Sequence, residues 1–154
     1  MESSVEIEFQ QLCHRKQLAA THQRLVVYRA LMQAHDHPNP EQLFERVRRE
    51  LPSISLATIY KTLHLFLEAG IIREVSPHHG SLRIEPNAIR HPHFFCLQCH
   101  GITDLASTGV DASALLATVP DGYRIDRVSM EVQGLCRRCA AQAEAAEPDV
   151  QSAD

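Results

Sequence analysis

The sequence predicts an α+β protein in two parts, an N-terminal winged helix-turn-helix domain followed by an α/β domain with a four-cysteine zinc site. Three observations predict this class. Apolar residues in the first half recur at helical spacing. Two short β-like runs, IIREV and SLRIE, then flank the turn SPHHG, which is the order of a winged helix. The second half carries two Cys-x2-Cys pairs among short strand-like segments.

Length and composition restrict the class of protein. With 154 residues and 44% apolar content, the chain suffices for one compact domain or two small ones. No apolar run approaches the ~20 residues that a membrane span needs. The polar N-terminus MESSVEIEFQQ does not resemble a secretory signal. We therefore expect a cytoplasmic protein without a membrane partner, in which paired cysteines favour metal over disulfide.

The charge is unevenly divided along the chain. The net charge is −4, with ten basic and ten acidic residues in 1–86 but five basic and nine acidic residues in 87–154. A nucleic-acid partner is therefore expected at the first half, through local basic patches rather than a general positive field.

Four helices are predicted in the first half. The first has its apolar face at residues 9–13, where Cys13 is expected in the core. Thr21, Asn39 and Ser55 are suitable N-caps for the next three, and Gly70 is a suitable left-handed end for the fourth. The fourth helix, SISLATIYKTLHLFLEAG, has an apolar face that leaves Thr58, Tyr60 and Lys61 elsewhere. We predict that these three side chains contact DNA.

The second half is predicted to be α/β. Residues 93–98 and 101–106 read as short strands, 111–119 as a short helix and 123–135 as a longer strand region. The Ala-rich acidic end is expected to begin helical and then fray. The predicted domains are therefore 1–86 for DNA binding, 87–92 as a proline-bounded hinge, 93–140 for metal binding and dimerisation, and 141–154 as a flexible tail.

The cysteine spacing predicts a metal site. Cys96 and Cys99 are separated by 36 residues from Cys136 and Cys139. Two residues between cysteines allow a tight turn to direct both thiolates at one ion, and two such turns complete a tetrahedral site suited to zinc. A disulfide, a redox CxxC pair or simple burial remains as an alternative.

The segment RHPHFFCLQCHG predicts a second metal. His91 and His93 are two residues apart, so a strand directs both imidazoles to one side. Glu85 and Asp104 are the nearby carboxylates. A mixed nitrogen and oxygen set suits Fe(II), Mn(II), Co(II) or Zn(II).

These motifs resemble the ferric uptake regulator superfamily, whose members are dimeric, metal-dependent transcription factors. The segment SISLATIYKTLHLFLEAGII resembles its recognition helix. RHPHFFCLQCHGITDL resembles its metal segment, with His100 inserted before Gly101, and GLCRRC resembles its closing zinc knuckle. The match extends from about residue 9 to residue 140.

The resemblance implies a homodimer that binds double-stranded DNA at an A/T-rich inverted repeat, with no small-molecule substrate. It implies one structural Zn²⁺ per chain on the four paired cysteines and one regulatory Fe²⁺ or Mn²⁺ per chain. The regulatory ligands would be His37, Glu85, His91, His93 and Asp104, and His37 enters only through the resemblance. Family members often carry a basic minor-groove residue where this chain has Ala19, and Arg15 or Lys16 would replace it.

The subfamily is less well determined. A further metal site of several iron and zinc sensors has no counterpart at Pro92 and residues 127–128, which favours the peroxide-sensing repressors. In that group a ligand histidine is oxidised, here His37 or His91. Peroxide sensors typically have aspartate where this chain has Glu85, so iron-responsive and zinc-responsive repressors stay open. A metalloenzyme or a zinc-stabilised interaction module is a remote alternative.

Overall fold

The computed structural model describes residues 4–75, 82–86, 91–106, 111–126 and 128–146. The chain divides into two compact units, Met1–Ile89 and Arg90–Asp154. The SPHHG turn, residues 87–90 of the predicted hinge and residues 147–154 of the predicted tail lie outside the described residues. Among the described helices, none is both long and apolar enough to span a membrane.

The first unit contains the four predicted helices. They are α1 (Ser4–Arg15), α2 (His22–Met32), α3 (Pro40–Val47) and α4 (Leu56–Glu68). All three predicted N-caps are confirmed, because the side chains of Thr21, Asn39 and Ser55 each accept a hydrogen bond from a backbone N–H in the first turn. Asn39 also forms a reciprocal capping box with Gln42. Local side-chain chemistry therefore sets where these helices begin.

The end of α4 leads into the two-stranded ribbon. Gly70 has a left-handed backbone (φ +66°), which allows the N–H of Ile71 to donate to the carbonyl of Phe66 at 2.8 Å. β1 (Arg73–Val75) and β2 (Arg83–Glu85) then pair antiparallel, with Arg73 opposite Glu85. This order of helices and ribbon confirms the predicted winged helix.

The core of the first unit is formed by the helices and the ribbon. The rings of Phe9, Tyr28 and Phe66 stack against one another with centroids 5.0 to 6.4 Å apart. Cys13 is 1% exposed in the same cluster, as predicted. The ribbon contributes Ile84, which is fully buried beside the helices. Burial of α4 against this core leaves its opposite face available.

The second unit is a small sheet with two helices. β3 (His93–Cys96) lies between β4 (Ile102–Asp104) and β5 (Glu131–Gly134), antiparallel to the first and parallel to the second. The helices are α5 (Ser113–Leu116) and α6 (Arg137–Ala146). The predicted tail, 141–154, was expected to begin as a helix, and α6 includes its first six residues, 141–146.

The strands predicted over 93–98 and 101–106 are shorter in the structure, at 93–96 and 102–104, and two further predicted elements are shortened more. The strand region predicted over 123–135 is a strand only at Glu131–Gly134, and residues 123–126 are exposed with no strand assigned. A strand needs a neighbour for its backbone hydrogen bonds, and β3 supplies one only to 131–134. The helix predicted over 111–119 is a single turn, preceded by Asp111, whose carboxylate accepts from the N–H of Ser113.

Candidate metal centres and nucleic-acid interface

The four paired cysteines meet in the second unit. The four sulfur atoms all lie within 4.8 Å of one another, and they belong to Cys96, Cys99, Cys136 and Cys139. Cys96 is the last residue of β3, Cys99 lies in the turn that follows, and Cys136 and Cys139 flank the start of α6. A Cβ at Gly101 would lie 3.3 Å from the Cys99 sulfur, so glycine allows the turn to close around that thiol. The structure thus brings together all four residues predicted from the spacing.

The sulfur geometry matches zinc rather than a disulfide. Four ligands placed tetrahedrally at about 2.3 Å from zinc are about 3.8 Å apart. The sulfur atoms of Cys99 and Cys136 are 3.8 Å apart. A disulfide would require about 2.05 Å, and each of these cysteines is free. The donor set therefore fits a closed, four-coordinate zinc site.

Backbone donors prepare part of the cluster for metal. Backbone N–H groups of Cys99 and Cys136 lower the pKa of the Cys96 thiol to about 6, and the N–H of Cys136 lies 3.3 Å from that sulfur. Burial instead raises the pKa of Cys139 to about 12. Cys96 is thus a thiolate near neutral pH, whereas Cys139 must lose its proton when metal binds.

A nearby arginine faces the cysteine cluster. Hydrogen bonds to the sulfur atoms of Cys99 and Cys139 raise the pKa of the Arg138 guanidinium. Four thiolates around Zn²⁺ carry a net charge of about −2, so a cation at this position is electrostatically favourable. The sequence reading did not identify this role, although Arg138 lies inside the second CxxC motif.

The second unit also gathers a histidine and carboxylate group. β-Pairing places Asp104 directly opposite His93, and the Asp104 carboxylate lies 3.4 Å from His93 Nε2. The same carboxylate oxygen lies 3.0 Å from His91 Nε2. The two imidazole rings have centroids 4.5 Å apart, although β3 begins only at His93 and His91 lies two residues before it. The predicted H-x-H pair and its carboxylate are therefore neighbours.

The first unit holds a matching pair. His37 Nε2 lies 2.9 Å from a carboxylate oxygen of Glu85, and both side chains are 3% exposed. His37 lies in the loop before α3, and Glu85 is the last residue of β2. The N–H of Ile84 donates to the carbonyl of Pro38 at 3.2 Å, which fastens this loop to the strand beside Glu85. The strand contact explains why residues 48 positions apart meet.

Imidazole and carboxylate donors of this kind fit a borderline or hard divalent cation. Each group contains imidazole nitrogen and carboxylate oxygen donors and no sulfur. Buried polar donors are costly unless partnered, which favours ligation or hydrogen bonding at both groups. The two groups together are the five residues that the family resemblance implied.

The polar face of α4 forms part of a basic cleft. A cleft of about 320 Å³ is lined by residues from α4 and from the start of α2: Thr21, Gln23, Arg24, Thr58, Lys61, Thr62 and Leu65. The Arg24 guanidinium is directed by a 2.7 Å hydrogen bond to the carbonyl of Ala19. The sequence reading missed Arg24, whose place beside Lys61 depends on the packing of α2 against α4.

Tyr60, another predicted DNA contact, has a partner on α3. Its hydroxyl donates to the Glu41 carboxylate at 2.7 Å, and this hydrogen bond raises the pKa of Tyr60. Thr58 shares a 2.9 Å hydroxyl contact with the α4 cap Ser55. Hydrogen bonds therefore orient both side chains in the N-terminal half of α4.

The basic pair at the end of α1 lies apart from this cleft. Arg15 is the last residue of α1 and lines a shallow depression with Gln10, Gln11 and His14. Lys16 Nζ lies 3.9 Å from the position of a Cβ at Gly70, at the C-terminal end of α4. The structure thus places Lys16 at the opposite end of α4 from Thr58, and the minor-groove role of either residue stays a prediction.

Comparison with known proteins places the chain in a family. The sequence profile of the "Ferric uptake regulator family" matches residues 15–133. The peroxide-responsive repressor PerR of Staphylococcus aureus (strain USA300) is 31% identical over 119 residues, which span 77% of this chain and 80% of that protein.

Two solved structures have the same fold. A zinc-bound manganese uptake regulator is 28% identical with a TM-score of 0.67, covering 83% of this chain and 98% of that one. The Campylobacter jejuni peroxide stress regulator is 26% identical with a TM-score of 0.64, covering 90% and 100%. With the winged helix and the metal-type clusters, these matches show that the chain belongs to the ferric uptake regulator family and is a metal-responsive, DNA-binding repressor.

Proposed function

We propose that this chain is a homodimeric repressor whose operator affinity is controlled by one regulatory Fe(II) or Mn(II) per chain, and that it responds to peroxide. The observation that carries the proposal is the pair of histidine and carboxylate groups, one in each unit. His37 with Glu85 and His91 with His93 and Asp104 have the same donor chemistry. The first group offers two donor residues and the second offers three, so a metal with five protein ligands would draw on both.

In this proposal the four cysteines hold a structural zinc. Four thiolates saturate zinc and leave no open position for a substrate or a signal. The ion ties the β3 end to α6 and so closes the second unit. Arg138 would offset part of the negative charge of the site.

The regulatory metal would draw its ligands from both units. When bound as Fe(II), it supplies the reducing electrons for reaction with peroxide. The chain supplies His37 and Glu85 from the first unit, and His91, His93 and Asp104 from the second. A metal that needs all five stabilises only conformations in which they converge, so its binding shifts the population toward those conformations.

Helix α4 is proposed to read the operator. In winged helices the recognition helix enters the major groove, and a dimer then reads two half-sites related by inversion. Thr58 and Tyr60 would contact thymine methyl groups or base edges of an A/T-rich repeat, and Lys61 with Arg24 would contact phosphate or guanine. To contact DNA through its hydroxyl, Tyr60 would first have to release its hydrogen bond to Glu41.

The second unit carries exposed apolar side chains that suit a dimer interface. Among the described residues, eight large apolar side chains of this unit are more than a third exposed. They are Leu97, Leu115, Leu116, Tyr123, Ile125, Met130, Val132 and Leu135. Apolar surface on this scale in a small unit is a mark of association, and this supports assignment of the second unit to dimerisation.

Peroxide sensing is favoured over iron sensing by the similarity to PerR of S. aureus. Glu85 is the specific feature that favours the alternative. Its additional methylene relative to aspartate lets the carboxylate approach a metal differently and fill a coordination position that peroxide needs. An iron-responsive repressor is therefore the second candidate, followed by a zinc-responsive one.

Zinc should be structural and depend on each paired cysteine. Cys139→Ser should lose the roughly one zinc ion bound per chain and unfold the second unit, because binding free energy of structural zinc is part of the folding free energy. Metal analysis and thermal unfolding measure both effects. The control Cys13→Ala should lose stability through a core cavity yet keep its zinc. Full zinc retention after replacement of any paired cysteine would contradict the assignment.

Operator binding should depend on the basic cleft. Lys61→Ala should weaken binding to an A/T-rich inverted repeat and reduce the salt dependence by about one unit of slope, because one phosphate contact is lost. Arg49→Ala is the matched control, since Arg49 is an exposed cation just beyond α3 and does not line that cleft. Equal wild-type affinity for the repeat and for random duplex, measured by fluorescence anisotropy, would exclude specific recognition.

The metal response should depend on the histidines and be separable from zinc. His91→Ala should abolish the increase in operator affinity on addition of Mn(II) or Fe(II) and keep the zinc. In the wild type, peroxide should release DNA from the Fe(II) form but not from the Mn(II) form, and mass spectrometry should find one added oxygen on a peptide with His37 or His91.

Two results would revise this account in different ways. If the Fe(II) form resists peroxide, the protein is iron-responsive, and Glu85→Asp should then create or sharpen peroxide sensitivity. If the wild type binds its operator equally with and without added metal, the switch itself is wrong.

A further inference from the structure

The loop that carries His37 is held in an unfavourable backbone conformation. His37 has φ +48°, in the left-handed region. A non-glycine residue there costs roughly 1–2 kcal/mol relative to the right-handed region. Neighbouring contacts must therefore hold it, and three contacts among the described residues fasten the loop on either side of it. Two are the Ile84 to Pro38 hydrogen bond and the Asn39–Gln42 capping box, which fasten the loop after His37.

The third contact fastens the loop before His37. Both oxygens of the Asp36 carboxylate accept from the Arg46 guanidinium in a paired, fork-like arrangement, with one bond at 2.8 Å. Arg46 lies on α3, so this ion pair joins the residue before His37 to the helix that follows it. Bidentate arginine–carboxylate pairs restrict orientation as well as distance, because two parallel bonds must both form.

We infer that Arg46 is a positioning residue for the regulatory metal: through Asp36 it holds His37 in the left-handed conformation that directs its imidazole toward Glu85. The inference rests on the proposed function, since it assigns His37 to the metal.

The same helix offers a matched control. Arg48, at the C-terminal end of α3, forms a 3.1 Å ion pair with Glu45 one turn away. Both side chains of this pair are more than half exposed, and Arg48 pairs with Glu45 rather than with Asp36. Arg48→Met removes the same charge from the same helix as Arg46→Met without releasing the His37 loop.

The experiment measures Mn(II) affinity of the zinc-loaded full chain by isothermal titration calorimetry. Arg46→Met and Asp36→Asn should each weaken Mn(II) binding about tenfold, the lower end of the range for groups that orient metal ligands. Arg48→Met should match the wild type. The double variant Asp36→Arg with Arg46→Asp restores the ion pair in reverse and should recover most of the affinity.

Further measurements distinguish a positioning role of Arg46 from a merely structural one. The results that follow are those expected if Arg46 positions His37. Zinc content should be unchanged in Arg46→Met, and thermal unfolding of the protein without Mn(II) should shift no more than in Arg48→Met. The Mn(II) concentration for half-maximal operator binding should rise by the same factor as the Mn(II) dissociation constant. Operator affinity at saturating Mn(II) should equal that of the wild type.

Three results would overturn the inference. Wild-type Mn(II) affinity in both Arg46→Met and Asp36→Asn would show that the ion pair does not position His37. Equal weakening in Arg48→Met would reduce the effect to the loss of a positive charge. If the wild type itself binds no Mn(II), the proposed function fails together with the inference, whereas a normal wild-type response with unaffected variants removes the inference alone.

Discussion

Backbone pairing between β3 and β4 is the interaction on which both metal groups of the second unit depend. At one end of β3 the pairing sets His93 opposite Asp104. At the other end, Cys96 exchanges backbone hydrogen bonds with Gly101 and His100 at 2.9 Å, which forms the turn that carries Cys99. A slip of one residue would turn His93 to the other face of the sheet. Zinc at the cysteine turn, as proposed, would therefore stabilise the register that places His93 opposite Asp104.

In the first unit, a loop with a left-handed residue, rather than a strand, brings the histidine to its carboxylate partner. His37 reaches Glu85 because β2 holds the loop through Pro38 and because α3 holds it through Asp36. An unfavourable backbone conformation persists only where the surrounding structure holds it, and such residues are common at functional sites. The metal would thus bind one group beside a sheet, His91 with His93 and Asp104, and one group that includes the left-handed residue His37. Only the second group is joined to α3, through Asp36 and Arg46.

Features set by local chemistry could be predicted from the sequence. The caps Thr21, Asn39 and Ser55 act within one turn, and the CxxC spacing decides which thiols can share an ion. Strand alternation predicted that His91 and His93 share a side, and their rings are neighbours, although His91 lies just before β3. These features need no knowledge of distant contacts.

Features that depend on distant contacts could not be predicted in this way. His37 lies in a loop without periodic pattern, and only the family resemblance indicated it. The position of Arg24 beside Lys61 follows from the packing of α2 and α4, and the ion pair of Arg46 with Asp36 follows from the fold of the loop before α3. The strand region expected over 123–135 was wrong at 123–126 and 128–130 for a related reason. Alternation shows which side chains could face a core and not whether a neighbouring strand is present.

The central claim is that one regulatory metal takes histidine ligands from both units. Pulsed electron paramagnetic resonance of Mn(II)-loaded protein, with all histidines labelled with nitrogen-15, tests it most directly by counting coupled imidazole nitrogens. The account predicts about three coupled histidines in the wild type, one of which disappears in His37→Ala and a different one in His91→Ala. Two couplings in the wild type, unchanged in His37→Ala, would show that the second unit binds the metal alone.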